Sequence, residues 1–274
     1  MLIFIQIVAR RIIMHPLLNL AITAARQAGE IIVRNLELLD RIKIQIKNSN
    51  EFFSEVDVKA EQAIIRTILK AYPHHGILAE ESGGANLDAE TVWIIDPLDG
   101  TTNYLHSYPY FAVSIACKIN NRIEHAVIFD PMRHEYFTAS RGQGAKLNEH
   151  RIRVSKQTLF NMALIGTGLP AHDPALAKHY LPIFDSLIGQ CKGIRRSGSA
   201  ALDLAYVACG RIDGLIEFGL RSWDMAAGSL LIKEAGGFIS DPHGGEDFLN
   251  KGNVVAGSIK VFKKLLQVVQ PIIS

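Results

Sequence analysis

The sequence contains no apolar stretch approaching the roughly 20 residues that a membrane-spanning helix requires. The apolar stretch from Leu2 to Ala9 is too short, and its charges, Arg10 and Arg11, come after it. A secretory signal carries positive charge ahead of the apolar region and ends in small residues, so this stretch does not have that form. We expect residues 1–13 to be an extension upstream of a true start at Met14. Cysteine is scarce: Cys117, Cys191 and Cys209 are far apart and odd in number. They form neither a CxxC pair nor a disulfide framework, which points to a reducing, cytoplasmic setting. Charge of one sign is also lacking, with Lys+Arg 29 against Asp+Glu 27. That balance gives no electrostatic case for nucleic-acid binding. The histidines show no metal-ligand spacing such as HxxxH, and no internal repeat or low-complexity linker occurs.

What is present is a chain of 274 residues, 48% hydrophobic, enough for one large or two intimately packed globular units. Leu17, Leu18, Ala21, Ala24, Ala25, Ala28, Ile31 and Ile32 recur at helical spacing, predicting a helix over 17–38 with Pro16 tolerated at its start. Ile42, Ile44 and Ile46 alternate as a strand leading to a polar loop at Lys47-Asn48-Ser49-Asn50. A second helix is expected from Asp57 to Tyr72, stopped by Pro73. Ile77 to Ala79 reads as a strand delivering Glu80 and Glu81, followed by a loop over Ser82 to Glu90. Apolar runs at 111–119, 123–129 and 135–139 predict an antiparallel meander. From about residue 160 helices and strands alternate, favouring a layered α/β second half after a boundary near 150. Helices are expected at 174–187, 199–208, 223–235 and 259–269, with strands at 163–166, 214–218 and 254–256.

The densest chemistry lies in Trp93-Ile94-Ile95-Asp96-Pro97-Leu98-Asp99-Gly100-Thr101-Thr102-Asn103. Val92 to Ile95 reads as a short buried strand ending on a carboxylate, stopped by Pro97 for want of an N–H. Two acids at a buried strand end are costly unless something positive lies between them. A hard divalent cation such as Mg²⁺ takes carboxylate and carbonyl oxygens, and the amides after Gly100 would make an anion site beside it. Taken singly, Asp224 reads as a helix-start carboxylate, Glu80 and Glu81 as solvated loop charges, Asp57 as an N-cap and Thr101 as a capping residue. Together they are acids at separate strand ends, where open α/β sheets place their sites.

Glu80-Glu81-Ser82, the WIIDPLDGTTN string and Trp223-Asp224-Met225-Ala226-Ala227-Gly228 resemble the three signatures of the inositol monophosphatase family. The segment from Arg195 to Tyr206 narrows the likeness to a bacterial branch that is also associated with the transcription machinery. The resemblance covers Met14 to the C-terminus. It implies an αβαβα sandwich of the inositol monophosphatase/fructose-1,6-bisphosphatase type and a Mg²⁺-dependent, lithium-sensitive phosphatase. By that resemblance Glu80, Asp96, Asp99, Asp224 and the Leu98 carbonyl bind Mg²⁺, with Asp96 bridging two ions. Thr101 with Asp57 would activate water, with Glu80 as a further catalytic group. Gly100 and Thr101 amides would hold phosphate, with Lys47 near the metals. Gly198, Ser199 and Ala200 would form a substrate-side loop, and Arg195 and Glu217 would face the inositol ring. One stretch departs from the family: Glu51-Phe52-Phe53-Ser54 stands where Asp-[Phe/Leu]-Val-Thr is usual, which bears on how this loop is positioned.

The expected reaction is hydrolysis of inositol monophosphate to myo-inositol and phosphate. Rival substrates are fructose-1,6-bisphosphate, a nucleotide 3′-phosphate and histidinol phosphate, all compatible with one metal core. A rival of another class is a binding partner of RNA polymerase and elongation factors in ribosomal RNA synthesis, hinted at by Arg195-Arg196. The Ala-rich helix after Ser199 would support a homodimer.

Overall fold

The computed structural model describes residues 14–36, 38–39, 44–48, 51–169 and 174–273. The expectations for residues 1–13, Ile42, Ser49 and Asn50, and for the Lys47 side chain, lie outside what is described. Helices α1 (Pro16–Leu36) and α2 (Glu55–Ala71) flank an antiparallel hairpin of β1 (Ile44–Asn48) and β2 (Glu51–Ser54). Eight strands then form the first sheet: β3 (Gly76–Ala79), β4 (Gly83–Ala85), β5 (Thr91–Asp99), β6 (Ala112–Ile119), β7 (Arg122–Asp130), β8 (Glu135–Ser140), β9 (Gly144–Leu147) and β10 (His150–Arg151). A short helix α3 (Thr101–Leu105) lies between β5 and β6. The sheet order is β10-β9-β8-β7-β6-β5-β3-β4, and only β3 and β5 run parallel.

The second half runs β11 (Leu164–Thr167), α4 (Pro174–Leu187), β12 (Gly193–Arg195), α5 (Ala200–Ala208), β13 (Gly214–Glu217) and α6 (Ser222–Glu234). It closes with β14 (Phe238–Ser240), α7 (Phe248–Lys251), β15 (Val254–Gly257) and α8 (Ile259–Ile273). Its sheet has the order β12-β11-β13-β15-β14, with β11 parallel to both neighbours.

Three apolar clusters define the layers. Side chains of α1 and α2 pack on one face of the first sheet, through Ala24, Ile32, Ile64, Trp93 and Ile95. The opposite face meets α5 and α6, which also cover the second sheet, through Ile94, Ile128, Leu204, Leu231 and Ala256. Helices α4 and α8 cover the far side of the second sheet through Ile183, Leu187, Val261 and Leu265. The result is helix–sheet–helix–sheet–helix, the layering the resemblance implied. Successive residues of β5 point to opposite faces, and both faces are covered. That explains why the strand reads as an unbroken apolar run rather than an alternation. Burying each large aliphatic chain here contributes about 1.5–3 kcal/mol.

Several local expectations are corrected. Pro97 does not end the strand: β5 continues to Asp99, with a bulge between Asp96 and Asp99 opposite β6. A proline in a bulge costs no ladder bond, because the extra residue is unpaired there. Lys47 and Asn48 belong to β1 rather than to a loop, Glu51 to Ser54 form β2, and a short β4 interrupts the 82–90 loop. Asp57 is not an N-cap. Ser54 holds that place, and Asp57, three residues on, closes a capping box. The Ala-rich helix α5 is buried between the two sheets along most of its length. Its small residues are spent on internal packing. The hairpin at Asn120-Asn121 is as expected, both residues taking the positive φ, 48° and 61°, that a two-residue turn requires.

Candidate metal and phosphate site

Four chain segments bring the site together. Strand β5 and its bulge supply Asp96 and Asp99, Glu80 follows the end of β3, the first turn of α6 carries Asp224, and α3 opens with Thr101. Carboxylate oxygens of Asp96, Asp99 and Asp224 lie within 4.8 Å of one another. Asp96 is 1% exposed, and its Oδ1 accepts the Leu98 N–H at 3.0 Å across the bulge. Glu80 stands outside the closest trio, but its side chain is near enough to Asp96 to raise the pKa of that carboxyl. Its backbone N–H continues the β3–β5 pairing by donating to Ile95 O at 3.2 Å.

Neighbouring elements fix each carboxylate. Asp99 Oδ2 accepts from the Ser199 hydroxyl and from Ala201 N at 2.7 Å, at the start of α5. Asp224 Oδ2 accepts Arg221 N at 2.7 Å. Burial, and then the charges of Glu80, Asp99 and Asp224, hold the Asp96 carboxyl well above the usual range. Burial raises Asp99 to about 6 against the hydrogen bonds from Ser199 and Ala201. Burial, with the Asp99 charge, raises Asp224 to about 7. Among the described residues, no Lys or Arg makes an ion pair with any of the three. So much mutual repulsion and an all-oxygen donor set suit a hard divalent cation.

Thr101 sits at the side of this cluster. Its Oγ1 is 3.0 Å from both Asp57 Oδ1 and Leu98 O. The other oxygen of Asp57 accepts from Ser54, at 2.8 Å from N and 2.6 Å from Oγ. Serine at position 54 therefore still makes the capping contacts, and the departure from the usual loop leaves Asp57 fixed. Burial raises the Asp57 pKa against these hydrogen bonds. Gly100 precedes α3 with φ 95°, and a Cβ there would lie 3.0 Å from Tyr110 O, so this turn needs glycine.

The 195–200 loop approaches from the other side. Asn103 Nδ2 donates to Ser197 O at 2.9 Å and Tyr110 O at 2.7 Å, tying that loop to the one after Gly100. Gly198 has φ 91°, and Ser199 caps α5 ahead of Ala200. Glu217 ends β13, and the charges of Asp203, Asp99 and Asp224 act with burial to raise its pKa well above the usual value.

Arg195 is not brought to the cluster. It is exposed at the end of edge strand β12, with Nη1 donating to Ile194 O at 3.0 Å. The arginine whose charge reaches Glu217, Asp203 and Tyr180 is its neighbour Arg196. Adjacent residues in an extended segment point opposite ways, so the two cannot share a direction.

Residues that motif reading missed include Asp203, whose Oδ1 accepts from the Tyr110 hydroxyl at 2.6 Å, and Gly168. A Cβ at Gly168 would meet Glu217 Oε1 at 2.0 Å, so that carboxyl lies directly over the glycine. Nothing in the one-dimensional pattern marks Gly168, because its partner is 49 positions away.

Comparison with known proteins identifies the family of the chain. The sequence profile of the inositol monophosphatase family matches residues 13–274. Nus factor SuhB of Pseudomonas aeruginosa is 54% identical over 94% of this chain and 97% of its own. The crystal structure of the extragenic suppressor protein suhB from Bartonella henselae superposes with TM-score 0.91 at 42% identity, covering 93% of this chain and 99% of that one. An inositol monophosphatase from Anabaena (Nostoc) superposes with TM-score 0.80 at 35% identity, covering 93% and 95%. No described helix is long and apolar enough to cross a membrane. The chain belongs to the inositol monophosphatase family.

Proposed function

We propose that this chain is a Mg²⁺-dependent phosphomonoesterase that releases myo-inositol and phosphate from an inositol monophosphate. The observation that carries this reading is the meeting of Asp96, Asp99 and Asp224 beside the Gly100–Thr101 turn. Asp96, Asp99 and Asp224, with Glu80 and the Leu98 carbonyl, would hold Mg²⁺. When bound, Mg²⁺ supplies positive charge to phosphoryl oxygens and makes water a stronger nucleophile. The amides of Gly100 and Thr101 would face the phosphate oxygens at the opening of α3.

The Thr101 hydroxyl has a single proton. Given to Asp57 Oδ1, it leaves the oxygen lone pairs to accept from a water and so orient it. Asp57 is anchored by Ser54 and is placed to receive or relay a proton. Ser199, Gly198 and Ala200 would border the substrate, with Ser199 also steadying Asp99. Glu217, within reach of the Arg196 charge, would accept from ring hydroxyls.

The testing experiment measures phosphate release from inositol 1-phosphate, fructose-1,6-bisphosphate, a nucleotide 3′-phosphate and histidinol phosphate, with and without Mg²⁺ and Li⁺. The highest kcat/KM on inositol 1-phosphate, Mg²⁺ dependence and Li⁺ inhibition are expected. Equal rates on all four would defeat the substrate assignment, and turnover in a metal-chelated sample would defeat the metal dependence.

Gly168 offers a sharper check on Glu217. Alanine there leaves the backbone permitted but pushes the Glu217 carboxyl aside. Gly168→Ala is expected to lower kcat/KM for inositol 1-phosphate about tenfold relative to p-nitrophenyl phosphate, the loss lying in KM. An unchanged ratio would remove Glu217 from polyol recognition.

A second role is favoured by the 54% identity to a protein named as a Nus factor and by the exposure of Arg195. In that role the chain binds RNA polymerase and elongation factors during ribosomal RNA synthesis. Capture of polymerase by the wild-type chain, lost in Arg195→Ala, would support this role. Equal capture by both would detach Arg195 from it.

A further inference from the structure

Helix α2 carries a second buried carboxylate that the proposed mechanism does not use. Glu61 is 2% exposed and lies one helical turn beyond Asp57, on the same face. Its Oε2 accepts the backbone N–H of Glu81 at 2.8 Å, and its Oε1 accepts that of Ser82, also at 2.8 Å. Among the described residues, no Lys or Arg makes an ion pair with Glu61. Its hydrogen-bonding capacity is thus directed at the two amides that follow Glu80.

Glu80 is therefore held from both sides. Its own N–H donates to Ile95 O, one residue before Asp96, while the next two amides are clamped by Glu61. Asp57, one turn earlier on the helix, receives the Thr101 hydroxyl at 3.0 Å. Two consecutive turns of one rigid helix thus grip the loops that carry Glu80 and Thr101.

We propose that Glu61 is a positioning residue that sets Glu80 against Asp96 and thereby tunes metal affinity. This rests on the metal reading given above. A carboxylate offers acceptors on both oxygens, whereas an amide turns one of them into a donor that faces an N–H. Glu61→Gln therefore breaks one of the two clamps without changing side-chain shape. Partners that orient metal ligands typically govern 10–100-fold in affinity.

The test is calorimetric titration of Mn²⁺ into metal-free full-length protein. The control is Glu234→Gln, because Glu234 clamps the amides of Gly142 and Gly144, each at 2.7 Å, in the same way within the β8–β9 turn. Glu61→Gln is expected to raise the Mn²⁺ dissociation constant about tenfold, with Glu234→Gln unchanged. Equal affinity in Glu61→Gln and wild type would overturn the proposal, as would an equal loss in Glu234→Gln. If Glu61→Gln does not fold, Glu61→Asp takes its place, being one methylene too short to span both amides. The same weakening is then expected, and wild-type affinity in Glu61→Asp would likewise overturn the proposal. A wild-type protein that binds no Mn²⁺ rejects the metal reading itself, and the inference with it.

Discussion

Asp96→Asn is expected to lower kcat on inositol 1-phosphate by about 10³–10⁴-fold, equivalent to about 4–5.5 kcal/mol of transition-state stabilisation. The asparagine keeps an oxygen for the Leu98 N–H, which Asp96 Oδ1 now accepts at 3.0 Å, so the bulge geometry survives. What it loses is the charge at the centre of the cluster, and it presents an amide donor where a cation needs an oxygen. The residue is surrounded by Glu80, Asp99 and Asp224, whose charges all disfavour its ionised form. Removing its charge should therefore leave the metal-free protein at least as thermally stable as wild type. The two readouts, kcat and metal-free Tm, separate loss of chemistry from loss of fold. Turnover above a tenth of wild type would remove Asp96 from the centre of the site.

The second large effect is a pH dependence of stability that metal should cancel. Asp96 is held well above its ordinary range, Asp224 near 7 and Asp99 near 6. Each folded-state pKa exceeds the value of the unfolded chain, so the native state binds more protons between the two. Stability from these groups is fully present below the unfolded pKa and is lost as pH rises through the folded one. The metal-free protein should accordingly melt higher at about pH 6.5 than at about pH 8, by on the order of 3 °C for a chain of this size. His125 works the other way. Burial lowers it to about 4, with the neighbouring His15 adding to the effect, so it destabilises the fold only as pH falls below its unfolded value. The comparison therefore stops at about pH 6.5. Saturating Mg²⁺ should raise Tm at the higher pH and flatten or reverse the trend, because it favours ionised carboxylates. A metal-free Tm that climbs from about pH 6.5 to 8 would contradict the raised pKa values of the cluster.

The parts of the architecture that could be read from one-dimensional patterning were those with long, regular burial. Helix α4 spans 174–187, as its apolar spacing predicts, and α1 begins at Pro16. The meander of β6, β7 and β8 is marked by its apolar runs and by the Asn120-Asn121 turn. Short elements escaped because their reasons are tertiary. Strand β14 is three residues long and depends on pairing with β15, and β12 is an equally short edge strand held by β11. Pro97 misled in the opposite direction: the missing N–H excludes a regular ladder, but the bulge needed no bond there.

The site divides along a similar line. Asp96 stands at the bulge of β5, Asp99 at its end and Glu80 just past β3, so motif and strand together mark them. Asp224 lies 125 positions after Asp99, and only the packing of α6 against the first sheet brings it in. Asp203, although inside the Arg195–Tyr206 segment, is not marked there as part of the site, and Gly168 and Glu61 carry no motif. Their contacts are to residues 93, 49 and 20 positions away, a separation that no local pattern records. Arg195 and Arg196 show the limit most sharply. The pair is plain in the sequence, but which of the two faces the acids depends on the alternation of one short edge segment.

The claim on which the rest depends is that these scattered acids share a cation. Anomalous diffraction from crystals of the wild-type protein equilibrated with Mn²⁺ tests it most directly. The account predicts an anomalous peak at about 2.0–2.2 Å from oxygens of Asp96, Asp99 and Asp224, the distance expected for a hard divalent ion. A fully occupied Mn²⁺ elsewhere in the chain, with no peak among these three carboxylates, would contradict it.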